Sequence, residues 1–168
     1  MTQVSKNNPF DFRIGFGVDI HQLVEGRPLF IGGIEIDSPV GALGHSDSDV
    51  LLHAIIDAIL GAAALRDVGY HFPDTDEQYK GIDSKILLSK AYDIVKDNGY
   101  RLGNLDATVM LEAPKLNPHI PKMQETIAEI FQVDSDRISV KATTGEKMGY
   151  VGEGIGIQAY CSALIYKI

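Results

Sequence analysis

His45-Ser46-Asp47-Ser48-Asp49-Val50-Leu51-Leu52-His53-Ala54-Ile55-Ile56-Asp57-Ala58-Ile59-Leu60 decides how this chain folds. The spacing predicts a helix from Ser46 to about Leu65, opened by a capping-box-like Ser46-x-x-Asp49 with Asp where Glu or Gln is commoner. Val50, Leu51, Leu52, Ile55, Ile56, Ile59 and Leu60 make it apolar nearly all round, and such a helix is normally buried. Its polar exceptions, Asp49, His53 and Asp57, fall at i, i+4 and i+8 and form one stripe. Burying three ionisable groups is costly unless they are paired or bound to an ion. The alternative is a stripe that faces solvent.

A second stretch answers to the first. Phe12 to Ile20 reads as a strand, and its Gly15 and Gly17 imply that something approaches the backbone closely. At its end Asp19 and His21 lie two apart, so both leave one face, about 7 Å apart at the backbone. With His53 they would make three N/O ligands and an open fourth position, the pattern of a catalytic zinc site. An Asp-x-His pair alone also occurs as ordinary surface polarity.

Working outward, Leu29–Ile31, Gly32-Gly33 and Ile34–Ile36 read as a hairpin with a two-residue turn. Ser38 to Gly44 reads as a loop, as does the carboxylate-rich segment Arg66 to Lys80. Asp83 or Ser84 caps a helix through about Asn98, followed by Gly99 at the C′ position. Asn104 to Leu111 is a strand, Ala113 to Pro118 a rigid connection, and a third helix follows Pro121. Ile138 to Ala142 is a short strand. Gly154 to Ile168 alternates cleanly, with Ile155, Ile157, Ala159, Cys161, Ala163 and Ile165 on one face. Cys161 is therefore expected to be an inert core thiol. Helices between strands able to pair antiparallel imply an α/β (α+β) two-layer sandwich, a sheet packed against helices.

The 168 residues predict one domain, 12–168, behind a polar N-terminal extension, 1–11. A net charge of −8 argues against nucleic acid or an anionic membrane as partner. If the substrate is a phosphate, bound cations must supply the positive field. One cysteine allows no intrachain disulfide. No apolar run suits a signal peptide or a membrane span, so a reducing cytoplasm is the expected compartment.

Gly17-Val18-Asp19-Ile20-His21, His45-Ser46-Asp47-Ser48-Asp49, Asp57-Ala58, Phe72-Pro73-Asp74-Thr75-Asp76, Ala113-Pro114-Lys115 and Lys141-Ala142-Thr143-Thr144 occur in that order. Together they resemble the 2-C-methyl-D-erythritol 2,4-cyclodiphosphate synthase family of the non-mevalonate isoprenoid pathway. The resemblance implies a ferredoxin-like sandwich assembled as a homotrimer with active sites at subunit interfaces. It implies cyclisation of 4-diphosphocytidyl-2-C-methyl-D-erythritol 2-phosphate with release of CMP. Asp19, His21 and His53 match zinc ligands, and Glu146 matches the holder of Mg²⁺ or Mn²⁺. His45 and Thr144 match positions that stabilise the transition state. Lys115 with Ala113, Pro114, Leu116 and Asn117 matches the cytidine pocket. Asp67, Gly69, Asp74 and Asp76 match contacts to the methylerythritol part and ribose-side loops. Ser46, Val68, Phe72, Thr143 and Tyr150 complete the implied substrate-binding set. Asp57 is expected to fix the His53 ring from behind, and Lys141 and Lys147 to help hold the polyanion.

Two departures stand out. Glu153 and Ile155 stand where the family often carries an Arg and an acid, at positions that the resemblance places at the mouth of a central cavity in the trimer, so an isoprenoid diphosphate is not expected there. Gly145 replaces a common Thr, with no loss of activity expected. Rival readings are a zinc-dependent phosphohydrolase using a metal-bound water, and a non-catalytic metal- or nucleotide-binding trimer. In the latter, His45, His71 or His119 would close the zinc shell.

Overall fold

A computed structural model describes residues 11–168. The expectations of a polar extension and of no signal peptide fall, apart from Asp11, outside the described residues. The strands are β1 (Phe12–Glu25), β2 (Leu29–Ile31), β3 (Ile34–Ile36), β4 (Val40–Leu43), β5 (Tyr100–Met110), β6 (Ile138–Thr143) and β7 (Gly156–Lys167). The helices are α1 (Val50–Ala62), α2 (Val68–His71), α3 (Ser84–Asp97), α4 (Ile120–Phe131) and α5 (Gly149–Gly152). One five-stranded sheet runs β4-β1-β7-β5-β6, antiparallel except for the parallel pair β5–β6. β2 and β3 form a separate hairpin whose turn residues Gly32 and Gly33 both have positive φ, as a primed two-residue turn requires.

Helices α1, α3 and α4 cover one face of the sheet, and α1 lies along β1 and β7. Leu51, Leu52, Ile55, Ile56, Ile59 and Leu60 are wholly buried. Each such side chain is worth about 1.5–3 kcal/mol of burial, so α1 is the centre of the core. Gly15 and Gly17 explain how it gets so close. A Cβ on Gly17 would stand 2.0 Å from the Ala54 carbonyl oxygen, and one on Gly15 would stand 1.8 Å from that of Ala58. As β1 advances from 15 to 17, its neighbour on α1 recedes from Ala58 to Ala54. The next inward position, Asp19, is thereby brought level with His53.

The structure departs from the sequence reading in several places. β1 runs on to Glu25, so Asp19 and His21 lie within a strand rather than at its tip. Val40–Leu43, expected in a loop, pairs with β1 as an edge strand. Helix α1 starts at Val50, not Ser46, because Asp49 is itself the cap and accepts the Leu52 N–H. The 66–80 loop contains α2 and a 3-10 turn at Glu77–Tyr79. Ile155 precedes β7 and is half exposed, apart from the buried row Ile157, Ala159, Cys161, Ala163 and Ile165. That row does hold Cys161, whose thiol burial pushes up to about 12.

Candidate metal centre and substrate cleft

Asp19 and His21 leave the inward face of β1, and His53 comes from the first turn of α1. Asp19 Oδ2 lies 3.0 Å from His21 Nε2 and 3.0 Å from His53 Nδ1, and the two ring nitrogens are 3.4 Å apart. The His21 ring fits because Gly44 has no side chain; a Cβ there would stand 3.1 Å from His21 Cε1. Burial pushes the Asp19 carboxyl up, but hydrogen bonds and charge from His21 and His53 outweigh it and hold the group at about 2. Burial pushes the His53 imidazole down, yet the hydrogen bond and charge of Asp19, backed by Asp49 and Asp47, leave it raised. A carboxylate crowded against two imidazoles is a donor set for a divalent ion, and imidazole suits transition metals. Among the described residues no fourth His, Cys, Asp or Glu joins the three. His71 instead gives its Nε2 to the Leu65 carbonyl at 2.8 Å.

The cluster opens on a cavity of about 380 Å³. His21 and His53 form part of its wall beside His45, Ser46, Val68, Gly69, Phe72 and Asp74. Asp67 and Asp76 are not in that wall. Asp67 caps α2 through the Tyr70 N–H, and Asp76 caps the Glu77–Tyr79 turn through the Gln78 N–H. Asp57 does not touch the His53 ring. It accepts the Val68 N–H at 2.8 Å and so ties the cavity wall to α1. Behind His53 stand Ser84 and Ser46, whose hydroxyls lie 3.0 and 3.2 Å from Nε2. Asp49 is wholly buried and binds the N–H groups of Gly32, Gly33 and Leu52.

A second cleft, about 210 Å³, is lined by Pro114, Lys115, Leu116, Asn117, Thr143 and Thr144 with Leu111, Glu112 and Ala142. Ala113 borders a third cleft with Glu112, Pro114 and Glu153. Thr144 Oγ1 donates to Glu146 Oε1 at 2.8 Å. The backbone turns sharply here, Glu146 and Lys147 both having positive φ. Gly145 is required by the packing, since a Cβ would lie 2.4 Å from the Gly152 nitrogen. Lys141 does not line this cleft; it pairs with Asp106 of the neighbouring strand β5. Tyr150 donates to Gln158 and lines neither cleft. The first two clefts share no residue within one chain.

Residues 12–166 match the model of the YgbB family. The chain belongs to that family. A relative from Porphyromonas gingivalis, named 2-C-methyl-D-erythritol 2,4-cyclodiphosphate synthase, is 61% identical over 154 residues, covering 92% of this chain and 95% of that one. Among solved structures, the bifunctional IspDF of Campylobacter jejuni superposes with a TM-score of 0.91 at 42% identity, over 94% of this chain and 43% of that chain. A 2C-methyl-D-erythritol-2,4-cyclodiphosphate synthase in its CDP-bound form gives 0.84 at 38% identity, over 91% and 99%. Membership of the cyclodiphosphate synthase family accords with an open donor cluster at a cavity wall, and one such relative was solved with CDP bound.

Proposed function

We propose that the protein converts 4-diphosphocytidyl-2-C-methyl-D-erythritol 2-phosphate to 2-C-methyl-D-erythritol 2,4-cyclodiphosphate. An oxygen of the 2-phosphate attacks the β-phosphorus, the bond from that phosphorus to the oxygen bridging the α-phosphate breaks, and CMP leaves. The observation that carries this reading is the open Asp19–His21–His53 cluster at the wall of a cavity in a chain of this family. The substrate brings its own nucleophile, so the protein has only to position groups and neutralise charge.

Asp19, His21 and His53 fit Zn²⁺ and would hold it; Glu146 and phosphate oxygens suit a hard Mg²⁺ or Mn²⁺. Such cations, when bound, neutralise phosphate charge and polarise phosphorus–oxygen bonds. That resolves how a chain of net charge −8 receives a polyanion. His45 and Thr144 supply donors to the oxygens that gain charge, and the cleft around Lys115 takes the cytidine. Because the two clefts share no residue, we assign them to different subunits of a ferredoxin-like homotrimer, each site completed by the adjacent copy. The bare face of β1, where Phe12, Ile14, Phe16, Val18 and Ile20 are all exposed, supports this assembly. We place the enzyme in the cytoplasm on its single thiol, and no described helix is long and apolar enough to cross a membrane.

The test is incubation with the cytidyl substrate and Mg²⁺, with and without a zinc chelator, reading CMP and the cyclic product. Zinc-dependent release of both in equal amounts, without ¹⁸O from water in either, is the expected result. Solvent oxygen in the product would mark a hydrolase instead.

A further inference from the structure

His53 faces two ways. Its Nδ1 meets Asp19 Oδ2 at 3.0 Å, and its Nε2 meets the hydroxyls of Ser84 and Ser46. A hydroxyl can donate to a ring nitrogen or accept from it, and a neutral imidazole has one nitrogen of each kind. If Nε2 accepted, the ring proton would sit on Nδ1 and the cluster would lose a ligand atom.

The Ser84 hydroxyl settles the direction. Its one proton goes to Asp47 Oδ1. Asp47 is itself fixed by two backbone donors, the Ser84 N–H on Oδ2 at 2.9 Å and the Asp49 N–H on Oδ1 at 3.2 Å. A carboxylate accepts and does not donate. Ser84 Oγ therefore has only lone pairs to offer His53, and its 3.0 Å approach to Nε2 is attractive only with a proton on that nitrogen; Ser46 Oγ, farther away at 3.2 Å and already accepting the Ser48 N–H, can accept from Nε2 as well. Ser84 is wholly buried, which keeps water from replacing this acceptor.

We propose that Asp47 and Ser84 are positioning residues that lock His53 as the Nε2–H tautomer, so that Nδ1 offers its lone pair to the ion. Ser84 is also the first residue of α3, so its backbone bond to Asp47 clips α3 to the segment that opens α1. The register of that docking thus sets which ring nitrogen of His53 is left to face the cluster. The inference rests on the metal reading given above and deepens it.

The probe is Zn²⁺ alone, titrated into the full chain against a chromophoric chelator, together with ¹H–¹⁵N spectra of the zinc-loaded protein. The parent is expected to bind zinc through Nδ1 of His53, with a slowly exchanging Nε2 proton. Ser84→Ala should weaken zinc binding about 10–100-fold, the usual cost of losing an outer partner of a ligand, and should speed exchange of that proton. Unchanged affinity in Ser84→Ala, or zinc on Nε2 in the parent, overturns the proposal. A parent that binds no zinc overturns the metal reading, and this proposal with it, so the two failures are distinguishable. If Ser84→Ala does not fold, the nitrogen assignment in the parent decides alone.

Discussion

The Asp19 carboxyl lies between two imidazoles, and the pair it makes with His53 acts oppositely on the metal-free and metal-bound protein. Asp19 is depressed from its ordinary 3.8 to about 2, so its contribution to stability is present above 3.8 and is lost as pH falls toward 2. His53 is raised from 6.5, so its contribution is full below 6.5 and disappears as pH rises through its folded value. Between those limits the ion pair supports the metal-free fold. Metal binding needs both rings without the competing proton, and the raised His53 makes that competition harder. The rise in thermal midpoint on adding zinc should therefore grow from about pH 5.5 to about pH 8; a constant or shrinking increment would count against the cluster as the zinc site. His45→Ala should cut turnover by about 10²–10³, roughly 3 kcal/mol, by analogy with lost oxyanion donors, while zinc content stays unchanged. Loss of zinc as well would make His45 a ligand. The triad was legible in the sequence because two periods fix it: alternation puts Asp19 and His21 on one face, and the helical stripe contains His53. Ser84 and Asp47 were not, because nothing local says where the start of α3 docks. Asp57 looked like the partner only because it sits one turn from His53; the loop's Val68 N–H claims it instead.

At the scale of elements, the site depends on α1 lying directly on β1. The prediction is that Gly17→Ala, whose Cβ would meet the Ala54 carbonyl oxygen at 2.0 Å, pushes the helix off the strand. It should cost at least about 1–3 kcal/mol, the usual range for overpacking, and should weaken zinc binding in proportion, since the ligands sit on the two separated elements. Denaturant unfolding and chelator competition on the same sample check this; a destabilised variant with full zinc affinity would break the link. Asp49→Ala tests the other end of α1. It removes the cap, worth about 1 kcal/mol, and strands the Gly32 and Gly33 N–H groups at about 1–3 kcal/mol each when buried. A loss below 1 kcal/mol in unfolding free energy would show that water or a shifted hairpin replaces the carboxylate. The long apolar elements were readable because burial dictates their pattern. The edge strand β4 was not, because Gly41 weakens the strand signal. That glycine answers to packing: a Cβ would lie 2.1 Å from the Pro28 carbonyl oxygen. Likewise the cap moved from Ser46 to Asp49 because Asp49 has the hairpin's N–H groups to bind as well as its own helix.

For the whole molecule, the sheet has one face under helices and one bare. Phe16 stacks on Tyr160 across β1 and β7, with ring centroids 6.1 Å apart, and Phe16 stays exposed while Tyr160 is partly buried. An apolar row of five side chains along one strand, Phe12 to Ile20, is more than a lone chain ordinarily shows to water. A carboxylate there would have to be desolvated without a partner when copies associate. If the proposed trimer forms through this face, Phe16→Asp should therefore leave the protein monomeric in sedimentation, where the parent sediments as a trimer. The Asp19, His21 and His53 ligands all come from one chain on the opposite face, so the monomer should still bind zinc. Turnover should nevertheless collapse if, as proposed, each site pairs the metal cluster of one copy with the Lys115 cleft of the next. Mixing this variant with His45→Ala chains gives the decisive comparison. If mixed assemblies form and recover activity, a cavity from one copy works with a cleft from the other. A monomeric Phe16→Asp protein with full turnover would instead mean that one chain brings both clefts together by itself, and the assignment to separate subunits would be wrong.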